Sequence, residues 1–358
     1  MADEKELAAI HEALAKADAD FVAALDARAE AIERLRALEE RAPDIYFALP
    51  SAAEVLARAM DRVQRFPKDG LERALREVLG ASVKMLAPIQ VAVPAPIGGF
   101  AHVAARQHFG STTDFAVAAT IGAVFDEVER KRVAYGVVPF ETSSEGAITE
   151  TIDALSDGEA RICAELTIPC NYDLVSSTGN AGDIDNIYGT AEALAACAGT
   201  LGEELPKVTT LDVRSAAVAL DFVREDHGAA AIVAGWSAQH DDELRCVRSR
   251  IEDRHDVETR FVVIGHERPR RTGHDRTLLA LAVRDDPGSL HAALSPFADR
   301  GINLTRIESR PARGRSWRYI FIVELDGHMT DRPVLTAVEE VRAASRHVKV
   351  LGSFPRPR

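Results

Sequence analysis

The residues of this chain best suited to chemistry fall in a few short clusters. Thr259-Arg260-Phe261 sets a hydroxyl beside a guanidinium. A hydroxyl can give a hydrogen bond or a proton to a departing oxygen, and a guanidinium can grip a carboxylate through two parallel bonds. Upstream, a strand-like run from Tyr135 ends in Glu141-Thr142-Ser143, and Ala95-Pro96-Ile97-Gly98-Gly99-Phe100 forms a glycine loop after an apolar strand. That loop is too short for a dinucleotide or P-loop fingerprint. Near the carboxyl terminus, Asp285 to Pro311 carries a Pro-Gly turn at Gly288-Ser289-Leu290, an amphipathic helix, and the strand segment Glu308-Ser309-Arg310-Pro311. Arg28 falls in a helical row otherwise filled by Leu7, Leu14, Phe21 and Leu35. A charge there is costly unless paired, so it marks either an anion site or a snorkelling side chain at a seam between chains.

The elements that must position these clusters form three segments. Over residues 1 to about 87, Leu7, Ile10, Leu14, Ala17, Phe21, Leu25, Ile32, Leu35 and Leu38 recur at helical spacing; shorter helices are expected at Ala52 to Val63 and Leu71 to Leu86. One long helix and two short ones cannot bury that stripe alone, so pairing with a second copy is expected. From 89 to about 266 strands and helices alternate, which predicts helices on both faces of mainly parallel sheets, with ligands beyond the carboxyl ends of the strands. Glu267 to Arg276 is polar, Arg-rich and linker-like. The remainder, 276 to 358, has the βαββαβ order of a ferredoxin-like sandwich: strands at Leu278 to Val283, after Gly301, at Trp317 to Leu325 and at His347 to Phe354, with a second helix at Arg332 to Ala344.

Composition excludes several classes. A net charge of -13 over 358 residues lacks the basic face that nucleic acid requires. Cys163, Cys170, Cys197 and Cys246 show no metal-ligand spacing and read as reduced thiols, and the histidines are equally scattered. Met1 leads straight into an acidic stretch, and Pro88, Pro94 and Pro96 break the longest apolar region. A cytoplasmic protein without membrane contact is the expectation.

Several of these motifs carry a family resemblance. Gly288-Ser289-Leu290 with Glu308-Ser309-Arg310-Pro311 resembles the ACT regulatory domain that binds phenylalanine in prephenate dehydratases. Tyr135 to Glu141 with Ser143-Ser144-Glu145-Gly146, Ile251-Glu252-Asp253 with Thr259-Arg260-Phe261, and the Gly98-Gly99 loop resemble the prephenate dehydratase domain itself. The three-part order is similar to the bifunctional chorismate mutase/prephenate dehydratase family. That resemblance implies an α+β multidomain chain. Residues 1–87 would be a helical chorismate mutase-like domain, 89–266 a two-subdomain α/β domain like a periplasmic binding protein, and 276–358 the ACT domain.

It further implies conversion of prephenate to phenylpyruvate, CO2 and water, phenylalanine as effector, a homodimer or larger homo-oligomer, and no cofactor or metal. Catalysis would rest on Thr259, Arg260, Phe261, Glu141, Thr142 and Ser143. Gly98, Gly99 and Thr190 would bind substrate, with Arg28 and Ser82 doing so for chorismate in the helical domain. The effector would be framed by Gly288, Ser289, Leu290, Glu308, Ser309, Arg310 and Pro311. This chain departs from the pattern where Gly99, Ala101, Thr142, Thr190 and Val257 stand in place of other polar residues. Each lost donor costs rate. A non-aromatising prephenate decarboxylase and a non-catalytic phenylalanine sensor are therefore alternatives. In the helical domain His11 and Glu39 replace an arginine and a lysine, and Ser51-Ala52 replaces an Arg-Glu pair. A carboxylate facing a developing anion repels it, so impaired mutase activity is expected.

Overall fold

The computed structural model describes residues 2–41, 52–86, 89–235, 243–311 and 319–356. They form two compact units, Met1–Ile89 with Gln107–Thr113, and Gln90–Arg106 with Asp114–Arg358. In the first, α1 (Ala2–Arg41), α2 (Ala52–Arg62) and α3 (Lys68–Leu86) follow one another, and α3 packs on both the others. Only part of the α1 stripe is covered. Ile32 is buried, whereas Leu7, Ile10, Leu14, Phe21 and Val22 are each more than half exposed. Ser51 and the Glu39 side chain, two of the departures noted above, lie outside the described residues.

The second unit begins with β1 (Gln90–Pro94), α4 (Phe100–Phe109), β2 (Asp114–Ala118), α5 (Ile121–Glu129), β3 (Tyr135–Thr142), β4 (Gly146–Ala147), α6 (Thr149–Asp157) and β5 (Arg161–Pro169). The chain then crosses into a second subdomain: β6 (Tyr172–Ser176), β7 (Asn186–Gly189), α7 (Ala191–Ala196), α8 (Ala198–Glu204), β8 (Thr209–Asp212), α9 (Ala216–Glu225), β9 (Ala229–Ala234) and β10 (Arg245–Arg248). It returns through β11 (Glu258–Gly265) to the first subdomain, antiparallel between β3 and β5. Both sheets are mixed rather than mainly parallel, because β11 in the first and β6 and β10 in the second run against their neighbours. Returning strands have to do so when a chain crosses between two lobes and comes back.

The last segment holds β12 (Asp275–Ala282), α10 (Ser289–Ala298), β13 (Leu304–Pro311), β14 (Tyr319–Asp326), α11 (Arg332–Ala344) and β15 (His347–Pro355). Its strand order β13-β14-β12-β15 is that of the ferredoxin-like sandwich. On one face Leu279, Leu281, Val323 and Leu325 pack against Ala293, Phe297, Val338 and Val341 of α10 and α11.

The other face is not a separate surface. Leu278, Ala280, Ile322 and Phe354 join one core with Phe125, Ile152 and Leu155 of α5 and α6. β15 also runs beside β5, so that among the described residues the two sheets form one of ten strands. At that seam a Cβ on Gly352 would lie 2.6 Å from the Ile162 carbonyl oxygen, and only glycine lets the backbones meet. The linker expected at Glu267 to Arg276 is correspondingly shorter. Arg276 already lies in β12, where its guanidinium donates to both oxygens of Glu165, at 2.7 and 2.9 Å.

Candidate functional site

Strand alternation sends neighbouring residues of β11 to opposite faces. Arg260, Val262 and Ile264 face the core shared with the ferredoxin-like sandwich, and Thr259 faces away from it. Register with β3 slips between Arg260 and Phe261: Arg260 lies opposite Glu141, and Phe261 opposite Pro139. Phe140 is the extra residue of a β-bulge, and the bulge turns Glu141 onto the Arg260 side. The Phe140 ring lies under two guanidiniums, 5.1 Å from that of Arg260 and 5.4 Å from that of Arg306.

In this structure Arg260 and Glu141, both expected at the site, are engaged by other side chains. Arg260 donates to Glu165 Oε2 and to Glu324 Oε2, each at 2.6 Å. Glu141 takes a bond from Arg306 at 2.7 Å and lies 3.6 Å from Arg260. Burial would push the Glu324 carboxyl up, but Arg260, the Thr305 hydroxyl and Arg276 outweigh it and hold that carboxyl below its ordinary range. Through its pair of buried acidic partners, Arg260 ties β11 to the ferredoxin-like sandwich.

On the other face Thr259, nearly buried, has its hydroxyl 3.1 Å from Cys170 Sγ. It pairs with Thr142 on β3 and with Ile168 on β5, next to the two points where the chain crosses between subdomains. Phe261 is buried two residues along. Ser143 is a clamp: its N–H donates to the Glu258 carbonyl at 2.8 Å, and its Oγ accepts the Glu258 N–H at 3.0 Å. Thr142 Oγ1 closes its own turn by accepting the Glu145 N–H at 3.0 Å. The β3–β4 loop therefore delivers Thr142 and Ser143 beside Thr259, as the motif order implies.

The glycine loop reaches the same crossing from β1. Gly98 takes a φ of +80°, and its N–H donates to His102 Nδ1 at 3.2 Å. Burial, with Arg106 nearby, lowers the His102 pKa to about 4, so the ring stays neutral and can accept that bond. Phe100, two residues after Gly98, meets Tyr172 of the second subdomain edge-on at 5.0 Å. Thr190 is used locally: its hydroxyl caps α7 by accepting the Ala193 N–H. Ile251-Glu252-Asp253 holds the crossing rather than reacting. Ile251 is core, Glu252 accepts the Tyr172 N–H at 2.8 Å, and Asp253 caps the start of α8 through Gly199 and Thr200.

The effector motif is divided by the same alternation. Gly288, at a φ of +83°, opens α10 ahead of Ser289 and Leu290. On β13, Ser309 and Pro311 are exposed, while Arg306, Glu308 and Arg310 turn toward the two-lobed half. Arg306 bonds Glu308 at 2.7 Å, and Arg310 lies 3.8 Å from Asp153 on α6. Within one chain, period-two geometry thus turns Glu308 and Arg310 to the opposite side of β13 from Ser309 and Pro311. In the helical unit, Arg28 and Ser82 meet, Nε donating to Oγ at 2.8 Å.

Sequence reasoning did not find Cys170, Glu165, Glu324, Arg306 or Asp153. Cys170 and Thr259 are 89 residues apart, and no local spacing connects them. Among the described residues no cluster of His, Cys, Asp and Glu could hold a metal, and no helix is long and apolar enough to cross a membrane.

Comparison with known proteins places this geometry. The prephenate dehydratase family model matches residues 91–269 and the ACT domain model residues 277–343. The bifunctional chorismate mutase/prephenate dehydratase of Aquifex aeolicus is 33% identical over 98% of both chains. That of Pseudomonas aeruginosa is 33% identical over 99% of each. Among solved structures, prephenate dehydratase from Arthrobacter aurescens in complex with L-Phe superposes with a TM-score of 0.64 at 32% identity, over 75% of this chain and 90% of that one. The Staphylococcus aureus prephenate dehydratase gives 0.63 at 26% identity, over 74% of this chain and all of the other. Motif order, two-lobed architecture and near full-length similarity agree: the chain belongs to the bifunctional chorismate mutase/prephenate dehydratase family.

Proposed function

We propose that the α/β half converts prephenate to phenylpyruvate, CO2 and water at the crossing between its two subdomains, with Thr259 as hydrogen-bond donor to the departing hydroxyl. The ring C–CO2 bond breaks and its electron pair shifts through the ring double bonds as the ring C–O bond breaks, so that the ring becomes aromatic while the C–O pair leaves on oxygen. A solvent proton completes the water. Aromatisation drives the reaction, so the protein's task is to stabilise charge on that oxygen. The observation that carries the reading is the Thr259 hydroxyl, which hydrogen-bonds only to a sulfur among the described residues and sits beside Thr142 and Ser143. With Arg260 committed to the junction, the substrate carboxylates need another partner. The first turn of α4, opened by the Gly98-Gly99 loop, offers backbone N–H groups and the positive end of a helix dipole.

Phenylalanine is the proposed effector of the ACT domain, taken near the Gly288 turn and the outward Ser309 and Pro311. Its effect would reach β11 through the Arg306–Glu141 and Arg260–Glu324 pairs, since these tie the ACT strands to the strands holding Thr142 and Thr259. For the helical unit we propose pairing with a second copy through the exposed α1 stripe, with little mutase activity, in line with the exposed Leu7, Leu14 and Phe21.

The test is direct. Full-length protein with prephenate at neutral pH yields phenylpyruvate, identified by mass and ultraviolet absorbance, and Thr259→Val abolishes it. A decarboxylated product that keeps the ring hydroxyl, or prephenate recovered unchanged, would overturn the assignment.

A further inference from the structure

Thr259 has a partner that the reaction does not account for. Cys170 follows the end of β5, where its N–H donates to the Val257 carbonyl at 2.8 Å. Two residues beyond the Thr259–Ile168 pair, it returns to the side of the sheet that carries Thr259. Its sulfur stops 3.1 Å from Thr259 Oγ1, while the other acceptor in reach, the Ile168 carbonyl, is 4.0 Å away. The Thr259 hydroxyl makes no other hydrogen bond among the described residues.

We propose that Cys170 is a positioning residue for the reaction, its thiol donating to Thr259 Oγ1 so that the hydroxyl proton is left free for the departing oxygen. The inference rests on the reading of Thr259 as that donor. A hydroxyl has one proton and two lone pairs. If Thr259 gave its proton to sulfur, none would remain for the substrate; if sulfur gives its own, the Thr259 O–H turns to the open side. A thiol suits this place because it donates weakly and accepts poorly, so it does not compete for the Thr259 proton. Burial pushes the Cys170 thiol up, and Glu192, Glu252 and Glu258 add to that against the Thr259 hydrogen bond, so at neutral pH it keeps the proton it must donate.

The experiment compares Cys170→Ala and Cys170→Ser with the wild type and with Thr259→Val, in the full chain, using prephenate. Removing one modest hydrogen bond that acts in the transition state lowers kcat of Cys170→Ala about tenfold with KM within about twofold. Cys170→Ser keeps a donor and recovers most of that loss. A purely structural role would instead move the melting temperature along with the rate and would not be rescued by serine. Blocking the thiol gives an independent reading. In a Cys246→Ser background, which removes the exposed cysteine, methyl methanethiosulfonate lowers kcat, and dithiothreitol restores it. Full kcat in Cys170→Ala and after thiol blocking, with Thr259→Val dead, would overturn the role of Cys170 alone. Full activity in Thr259→Val would overturn the Thr259 reading, and this proposal with it.

Discussion

On one face of β11, Arg260 spends its guanidinium on Glu165 and Glu324, with Arg276, Arg306 and Glu141 completing the array. On the other, Thr259 meets one sulfur, and Ser143 beside it bonds, among the described residues, only to uncharged backbone groups. Adjacent residues of one strand thus serve opposite ends. Charges taken out of water have to be matched or they destabilise, so the junction is saturated. A hydroxyl that must donate to a ligand has to keep a free proton, so the crossing is sparsely bonded. In an uncharacterised chain, the less satisfied face of a strand is therefore the better place to look for chemistry.

Breaking the saturated side should have the largest consequence. Arg260→Gln leaves the buried Glu324 and Glu165 to share Arg276 and is expected to cost about 3 kcal/mol of stability, measured by urea unfolding. It should also weaken inhibition by phenylalanine more than it lowers uninhibited turnover. A variant with wild-type stability and inhibition would show that the two faces do not differ in the way described.

Acid sharpens the same contrast through one carboxyl. Glu324 is held below its ordinary value of 4.5, so the unfolded state binds its proton first as pH falls. Its contribution is complete above about that value and is lost as pH drops through the lower folded value. The melting temperatures of wild type and Glu324→Gln should differ by a constant amount above pH 4.5 and converge as pH falls below it. Parallel curves across the range would remove Glu324 from the account.

The smallest effect belongs to the sparse side. Ser143→Ala removes the hydroxyl that accepts the Glu258 N–H and is expected to cost about 1 kcal/mol. The melting temperature should move little, while KM for prephenate rises as the β3–β4 loop loosens. A large stability loss here would mean that the loop is part of the frame.

Much of this architecture was legible in the chain. Apolar periodicity marked α1 to α3, and strand–helix alternation marked the two-lobed half. The Pro-Gly turn before α10 required a left-handed residue, and Gly288 supplies it. Thr259, Thr142 and Ser143 come together because the motif order places them on paired strands. Less legible was the partnership of the ACT sheet with α5 and α6, since Leu278, Ala280 and Ile322 read as one side of an ordinary strand whatever covers them.

The sequence by itself determined the kinds and order of the elements, because helix and strand periods and turn chemistry are local properties of neighbouring residues. It also determined the family, through motifs that survive as short strings. Only the tertiary structure decided what each motif residue faces. A single bulge at Phe140 moves Glu141 onto the Arg260 side, and alternation along β13 divides Glu308 and Arg310 from Ser309 and Pro311. Pairings such as Cys170 with Thr259 or Arg260 with Glu324 join residues far apart in the chain, and it is the packing of sheets, not spacing along the chain, that brings them within hydrogen-bonding distance.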